Sequence, residues 1–375
     1  MAGIYIHIPF CKKLCHYCDF YHTVSTTDIP DYFNTILLEA EQRKNYLSDE
    51  KINTVYIGGG TPSVYSVSDI YLMLNRLSLI FNIDKEAEVT IELNPDDITP
   101  EYMSGLKNTQ VNRLSIGVQS WKDKDLKAMN RRHTSAQAEE ALKNAFGAGF
   151  TNISIDLIYG LPWMSSDSWV ENLVKTFSFP VKHLSAYHLT IEPGTVFGKM
   201  KEQSLLHETH EDESANEFSL LVDKALAAGF IQYEISNFAL DGFISQHNTN
   251  YWRQVNYLGL GPSAHSFNGY SRQWNISNVG LYTKALKNGT TFYEREELDN
   301  KKKFNEYVMT SLRTMWGIDL EYVERTFEKE GYDFVINISG KFREYGMMKL
   351  DKKTLVLTNQ GKMISDNIIS DFMMI

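Results

Sequence analysis

Cysteine is scarce in this chain. Only three occur in 375 residues, Cys11, Cys15 and Cys18, and they fall within eight consecutive positions. A disulfide framework needs cysteines in pairs, which three cannot complete. Structural zinc takes four ligands, its cysteines coming as spaced pairs completed elsewhere, and no second pair exists here. Long apolar runs are missing as well: nothing approaches the roughly eighteen consecutive apolar residues of a membrane span. Residues 1–10 hold a short apolar run, but no basic region precedes it and it leads straight into the cysteines, so it does not read as a signal peptide. The expectation is a soluble, cytoplasmic protein, in whose reducing surroundings oxidisable thiolates persist. Positive charge is in deficit, with 37 Lys and Arg against 47 Asp and Glu and a net charge of −10. That balance argues against general nucleic-acid binding, although a local basic face is compatible with it.

What is present begins with those thiols. Three thiolates on one short loop suit an iron–sulfur cluster, because a four-iron cluster takes cysteine on three irons and can leave the fourth open to another ligand. Chemistry would occur at that open iron. The length, with 43% hydrophobic residues, allows a large core and two or more domains.

Strand and helix signals alternate from the N-terminus. Ile4, Ile6 and Ile8 form a β-branched run, and Tyr32 to Leu47 has helical spacing through Phe33, Ile36, Leu37 and Ala40. Thr54 to Ile57 reads as a strand running into the turn Gly58-Gly59-Gly60-Thr61-Pro62. Ser68 is placed to cap a helix whose stripe is Ile70, Met73, Leu74 and Leu77. Further strands are expected at Val89 to Leu93, Arg113 to Val118, Ile153 to Ile158 and Leu184 to Leu189. Ser135 to Phe146 is the clearest helix between them, with Ala138, Leu142, Ala145 and Phe146 on one face and Gly149 to end it. Repeated βα units imply parallel strands, with functional groups at their C-terminal ends. Consecutive glycines after the second strand let the backbone pass close to a ligand and offer N–H groups to it.

The spacing Cys-x₃-Cys-x₂-Cys, with Tyr17 just before the last cysteine, resembles the signature of radical S-adenosylmethionine (SAM) proteins. In that superfamily SAM chelates the open iron, and an electron from the cluster cleaves it to a 5′-deoxyadenosyl radical. Tyr5-Ile-His-Ile-Pro-Phe10 narrows the resemblance to the oxygen-independent coproporphyrinogen III oxidases and the related HemW-type heme chaperones. The implied fold is α/β, a partial (β/α)6 radical SAM barrel with a small C-terminal α+β winged-helix-like domain. The resemblance also implies a site: a [4Fe-4S] cluster on Cys11, Cys15 and Cys18, with SAM held by Gly59, Gly60, Thr61, Glu92, Gln119, Arg131 and Asp156. Tyr5 would lie near the cluster and Tyr17 against the adenine. Glu92 and Asp156 suit ribose hydroxyls, Gln119 reaches the rim, and Arg131 could pair with the SAM carboxylate. Arg132 adjoins Arg131 and is its rival for that role. Taken singly, each of these is more often a barrel salt bridge or cap; together, in this order behind the cysteine loop, they make a specific signal.

Farther on, Asp156 to Pro162 reads as a buried strand and its exit turn, and Tyr187-His188-Leu189-Thr190 as a structural segment, with Tyr187 or His188 facing the cavity the lesser alternative. Lys201 to Glu217 is an acidic, polar connector running into a helix through Phe218, Leu221, Val222, Ala225 and Leu226 that stops at Gly229. Then comes His247-Asn248-Thr249-Asn250-Tyr251-Trp252. A histidine can bind heme iron, and Tyr and Trp offer flat faces to a porphyrin, yet on composition such a segment is more often a satisfied histidine beside two core aromatics. The segment resembles the His-Asn-x-x-Tyr-Trp motif of the chaperones, which implies heme at His247, Tyr251 and Trp252, with His265 a rival iron ligand. From about residue 300 the texture changes. Phe304, Val308, Leu312 and Met315 form one helix face, Leu320, Val323 and Phe327 a second, and Met348 to Leu357 a hairpin. Lys301 to Ile375 carries twelve basic and eleven acidic residues, a balance that disfavours a phosphate-binding face and suggests a lid or partner surface.

The expected divisions are 1–225 for the barrel with its cluster loop, 226–299 for an extension, and 300–375 for the terminal domain. Two departures from the oxidases point to the chaperones: Phe20 stands where they carry a fourth cysteine, and only ten residues precede Cys11. The resemblance therefore implies a heme chaperone binding a [4Fe-4S] cluster, SAM and heme. The alternative is a coproporphyrinogen III oxidase, and a radical enzyme on an unrelated substrate is a third possibility. Implied partners are heme-accepting apo-proteins, respiratory enzymes and hence membrane proteins among them, and an electron donor. A homodimer is compatible with this, and no nucleic acid is expected.

Overall fold

The computed structural model describes residues 1–25 and 29–374. Six strands follow one another in chain order and pair in parallel: β1 (Ala2–Ile8), β2 (Ile52–Gly59), β3 (Ile83–Leu93), β4 (Arg113–Gln119), β5 (Ile153–Tyr159) and β6 (His183–His188). Each leads into a helical segment before the next. β1 and β5 bury six of their seven residues, the near-continuous burial of strands covered on both faces. This is the expected α/β architecture, and it brings the C-terminal ends of all six strands together.

The sheet is wider than six strands. β7 (Ile231–Glu234) and β8 (Asn237–Ala239) extend it antiparallel beyond β6. On the other side β9 (Tyr257–Leu260) runs parallel to β1, followed by antiparallel β10 (His265–Phe267), β11 (Ser271–Asn275) and β12 (Tyr293–Glu297). The order is β12-β11-β10-β9-β1-β2-β3-β4-β5-β6-β8-β7, so the terminal strands do not pair with each other and the barrel stays open.

The terminal domain has its own core, from Phe304 and Val308 through Leu355 to Phe372. It comprises the helix Asn300–Leu312, β13 (Ile318–Asp319), the helical stretch Leu320–Glu344 and the hairpin β14 (Met348–Asp351) and β15 (Thr354–Leu357), then two short helices. Its entry segment covers the edge of the large sheet: Ile235 N donates to Arg313 O at 3.1 Å and Met315 N to Tyr233 O at 3.0 Å. Among the described residues no helix is long and apolar enough to cross a membrane.

Several local expectations shift, each for a physical reason. The first helix is Ile29–Gln42, three residues earlier and five shorter at its end than expected; Ser48 and Asp49 follow in the left-handed region, and Leu47 is buried from a turn. The second helix is capped by Ser66, not Ser68. Ser66 and Asp69 form a reciprocal capping box, which Ser68 cannot because it lies within the helix and the residue three on is Tyr71, with no carboxylate to reach back. β3 begins six residues before Val89; Ile83 pairs with Ile52 and the ladder resumes at Glu88, so the charged residues between them bulge out of register. Helix Ser135–Gly147 buries Ala141, with Phe146 only half-buried. The acidic connector takes in the end of the helix Val196–Glu202 and the start of the helix Glu211–Ala227. Glu211, Asp212 and Glu213 there sit in the first turn, where negative charge favours the helix dipole. Leu226 and Met315, both expected on buried faces, are 54% and 37% exposed.

Candidate functional site

At the C-terminal ends of β1 to β6 lies a cavity of about 490 Å³ whose wall includes Cys11, Cys15 and Cys18, Tyr17, Gly59 to Thr61, Glu92, Gln119, Arg131 and Asp156. Residues from the first fifth of the chain to its middle therefore converge because parallel strands all end on one rim. Tyr187 and His188, at the end of β6, also face it.

The cysteine loop leaves β1 and is pinned by backbone bonds, Cys11 N to Thr23 O at 2.9 Å and His16 N to Met129 O at 3.1 Å. Thr61 Oγ1 donates to Cys11 Sγ at 3.5 Å and Arg131 Nη1 to Cys15 Sγ at 3.4 Å, while His22 Nδ1 lies 3.9 Å from Cys18 Sγ. Burial pushes the Cys11 thiol up to about 11 and raises that of Cys18. The loop thus presents sulfur that burial keeps protonated, with donors placed to stabilise the thiolate once a cation shares it. Among the described residues no three His, Cys, Asp or Glu converge on a point that a single ion could fill. A four-iron cluster imposes no such convergence, since each thiolate binds a different iron. The donor set fits the cluster.

The glycine turn does something other than expected. Its N–H groups are occupied: Gly59 N donates to Glu92 Oε2 at 3.1 Å, Gly60 N to Ile8 O at 2.7 Å and Thr61 N to Phe10 O at 2.8 Å. A Cβ on Gly60 would stand 2.8 Å from Phe10 O and 3.0 Å from Cys11 Sγ, and Gly59, at φ +108°, has the His7 ring against it. The glycines let β2 press against the cysteine loop, rather than offering free donors to a ligand.

The carboxylates come from facing strands. Glu92 Oε1 accepts from Tyr56 Oη at 2.8 Å, and Ser115 Oγ donates to both oxygens of Asp156 at 3.1 Å. Burial raises Glu92 to about 7 and Asp156 to about 6, opposed in part by the Arg113 guanidinium. Arg113 is 1% exposed and its Nε has no partner. Asp156 sits at the middle of β5, not at its start. Gln119 ends β4 at φ +65°, in the left-handed region. Arg131 is the arginine that faces the cysteines: besides Cys15 it reaches Tyr17 Oη at 3.4 Å, Gly117 O at 2.8 Å and Asn94. Arg132 is tied instead to Asp96 and Asp97, each at 2.9 Å. Tyr5 does not line the cavity; its hydroxyl is held by His7 Nδ1 at 3.0 Å, inside the wall.

The second motif stands mostly behind that wall. Helix Gln246–Trp252 begins on Glu88 of β3, whose carboxylate accepts from Gln246 N and His247 N at 3.1 and 2.9 Å. His247 is 1% exposed. Its Nδ1 meets Thr54 Oγ1 and its Nε2 meets Tyr251 Oη, both at 2.8 Å, and its ring stacks on Tyr56 at 5.1 Å. Burial lowers it to about 3, so it is neutral at physiological pH. Both ring nitrogens of His247 are thus engaged within the fold, by Thr54 and Tyr251. Asn248 is the member that reaches the cavity, and Trp252 points the other way, into a second hollow. His265 is exposed at the start of β10, beside Trp274 and away from both.

Sequence reasoning missed Tyr56, Ser115, Arg113 and Asn248. A signal existed for Tyr56 and Ser115: each is a hydroxyl residue on a strand between two aliphatic neighbours, Val55 and Ile57 or Leu114 and Ile116, the pattern of an inward position in a barrel.

The profile of the Radical SAM superfamily matches residues 5–174. Among solved structures, coproporphyrinogen III oxidase (HemN) from Escherichia coli shares the fold, with a TM-score of 0.86 at 22% identity over 99% of this chain and 90% of that one. The heme chaperone HemW of Bacillus subtilis is 30% identical over 376 residues, covering 100% of this chain and 99% of the relative. That of Lactococcus lactis is 32% identical, covering 99% and 97%. Escherichia coli HemW is 36% identical over 265 residues, 70% of this chain and 69% of the relative. The chain belongs to the HemW heme chaperone family of the radical SAM superfamily.

Proposed function

We propose that the protein binds a [4Fe-4S] cluster, SAM and heme, and transfers heme to acceptor proteins. What carries this is the cavity that gathers the three cysteines, two half-buried carboxylates and Arg131 at one rim, in a chain alike over its whole length to proteins named heme chaperones. Cys11, Cys15 and Cys18 would hold the cluster, which when bound supplies one electron to SAM. Glu92 and Asp156 would accept ribose hydroxyls, Gln119 would reach the rim, and Arg131, already among donors to Cys15 and Tyr17, would meet the SAM carboxylate. Tyr17 would cover the adenine. Gly59, Gly60 and Thr61 would act by fixing the loop, and Tyr5 by holding His7 behind it.

Heme is assigned to the segment from His247 to Trp252, with Tyr251 and Trp252 contributing surface and His247 support. Acceptors would be apo-proteins, respiratory enzymes included, and an electron donor would reduce the cluster. The deciding experiment is a heme titration of anaerobically reconstituted protein, followed by transfer to an apo-cytochrome. Saturation near one heme per chain and transfer to the acceptor are expected; no saturable binding would overturn the assignment.

A second reading, porphyrinogen decarboxylation, draws on the fold shared with the oxidase. Phe20, 72% exposed beside the third cysteine where the oxidases carry a fourth, stands against it. Protoporphyrinogen formation from coproporphyrinogen III, with SAM and a reductant, would decide for the enzyme.

A further inference from the structure

The second hollow, about 450 Å³, lies where the end of helix Gln246–Trp252, the tip of β10 and the terminal domain meet. Three observations set it apart from a packing gap. Its wall is aromatic, with Trp252, Phe267, Tyr307, Trp316, Tyr322 and Phe327 all lining it. Its free charge is positive. Arg253 lies 4.4 Å over the Trp316 ring and Lys303 5.1 Å over the Tyr270 ring, and neither has a carboxylate within ion-pair distance among the described residues. The two acids on the wall are engaged already, Glu306 by Arg272 and Asp319 as the cap that receives Glu321 N and Tyr322 N. Third, Trp252 Nε1 is a buried donor with no acceptor, and Glu328, next to the lining residue Phe327, holds φ +60° and ψ −174°, a conformation almost confined to glycine. Such strain persists where the surroundings over-determine it and gathers at binding sites.

Flat apolar faces, unpaired cations at the rim and an orphan N–H describe the complement of a planar ring bearing carboxylates. Among the described lining residues none is His, Cys or Met; of the lining tyrosines, Tyr307 Oη already accepts from Asp319 N at 2.9 Å, and a phenol binds iron strongly only once it has lost its proton. Resting on the heme-chaperone reading above, we propose that this cavity holds heme by its ring faces and its two propionates, without a protein ligand to the iron. Trp252 is the member of the second motif that touches the ring, and Arg253 and Lys303 meet the carboxylates. Heme held this way exchanges readily, because no metal–ligand bond must break for release.

The test is a titration of the full-length, cluster-loaded protein with heme, metal-free protoporphyrin IX and protoporphyrin dimethyl ester, followed by absorbance and by tryptophan fluorescence. Protoporphyrin is expected to bind within about threefold of heme, a gap well under the tenfold that one interaction of ordinary strength is worth. The ester is expected to bind on the order of tenfold more weakly, the loss of a charge-assisted contact. R253A, K303A and W252F should each weaken both acids while leaving iron and sulfide content at the wild-type level, which also verifies folding. Heme binding with no protoporphyrin binding would overturn the proposal, as would wild-type affinity in all three variants. If wild-type protein binds none of the three ligands, the chaperone reading itself fails, an outcome distinct from either of those.

Discussion

At the scale of single residues, Glu92 and Asp156 are the groups whose chemistry conflicts with their surroundings. Both are raised by burial, to about 7 and about 6, so the folded chain binds their protons more tightly than the unfolded chain does. The stability this gives is complete below about pH 4 and is lost as the pH rises through 6 and 7. In protein without SAM, Glu92→Gln should therefore gain on the order of 2 kcal/mol at pH 8 and little at pH 4, read from thermal unfolding at the two pH values. The same substitution should weaken SAM binding, measured by equilibrium dialysis; equal affinity would remove Glu92 from the site. His247 poses the opposite case. Its neutral ring satisfies Thr54 and Tyr251 and supports Tyr56, which in turn donates to Glu92. His247→Ala should cost about 2–4 kcal/mol in denaturant unfolding, because it opens a cavity and orphans two hydroxyls. If the bound heme spectrum nevertheless stays unchanged in that variant, iron ligation by His247 is ruled out directly.

Among the elements, the contact between the glycine turn and the cysteine loop decides whether a cluster can be held. Gly60 needs no unusual backbone, so its constraint is steric alone: an added Cβ meets two carbonyl oxygens and Cys11 Sγ at 2.8 to 3.0 Å. Gly60→Ala should displace the loop at a cost of about 1–3 kcal/mol and lower the iron and sulfide retained after reconstitution, with far-ultraviolet circular dichroism preserved. Retention of a full cluster would mean the loop has slack that the packing does not show. The helix carrying the second motif is governed from β3. Glu88 caps its start while Glu92, four residues on, faces the cavity, so one strand fixes both sites.

For the whole molecule, the open barrel leaves two strand edges to manage. β12 carries Glu294, Arg295, Glu296 and Glu297, charges that discourage further pairing. β7 is covered by the segment Arg313 to Met315, by the Arg313–Glu234 ion pair at 3.4 Å and by Lys362 on Gln232 at 2.8 Å. Removing residues 300–375 would bare that edge together with the aromatic side of the second cavity. The truncated chain is expected to self-associate, seen as a rise in scattered light at micromolar concentration, and to lose porphyrin affinity while keeping its cluster. A monomeric truncated protein with unchanged affinity would show that the terminal domain serves neither purpose.

The sequence by itself determined the run of βα units and the cysteine loop, while the barrel and the rest of the first site came as what the family resemblance implies. β-Branched runs recur at regular intervals, and Cys11, Cys15 and Cys18 declare themselves by clustering, because local spacing is written into the chain. It also placed Glu92, Gln119 and Asp156 on strands, but only tertiary structure decided that they share one rim with Arg131, and that Arg132 turns away to Asp96 and Asp97. The hydrogen-bond partners of the glycine turn and the histidine motif were not legible, for one reason. Whether an N–H or a ring nitrogen is free depends on what lies across from it, and those partners, Ile8, Phe10, Thr54 and Tyr251, are set by strand register and helix docking rather than by neighbours in sequence. The second cavity was out of reach altogether, since it exists only where three segments distant in the chain are packed together.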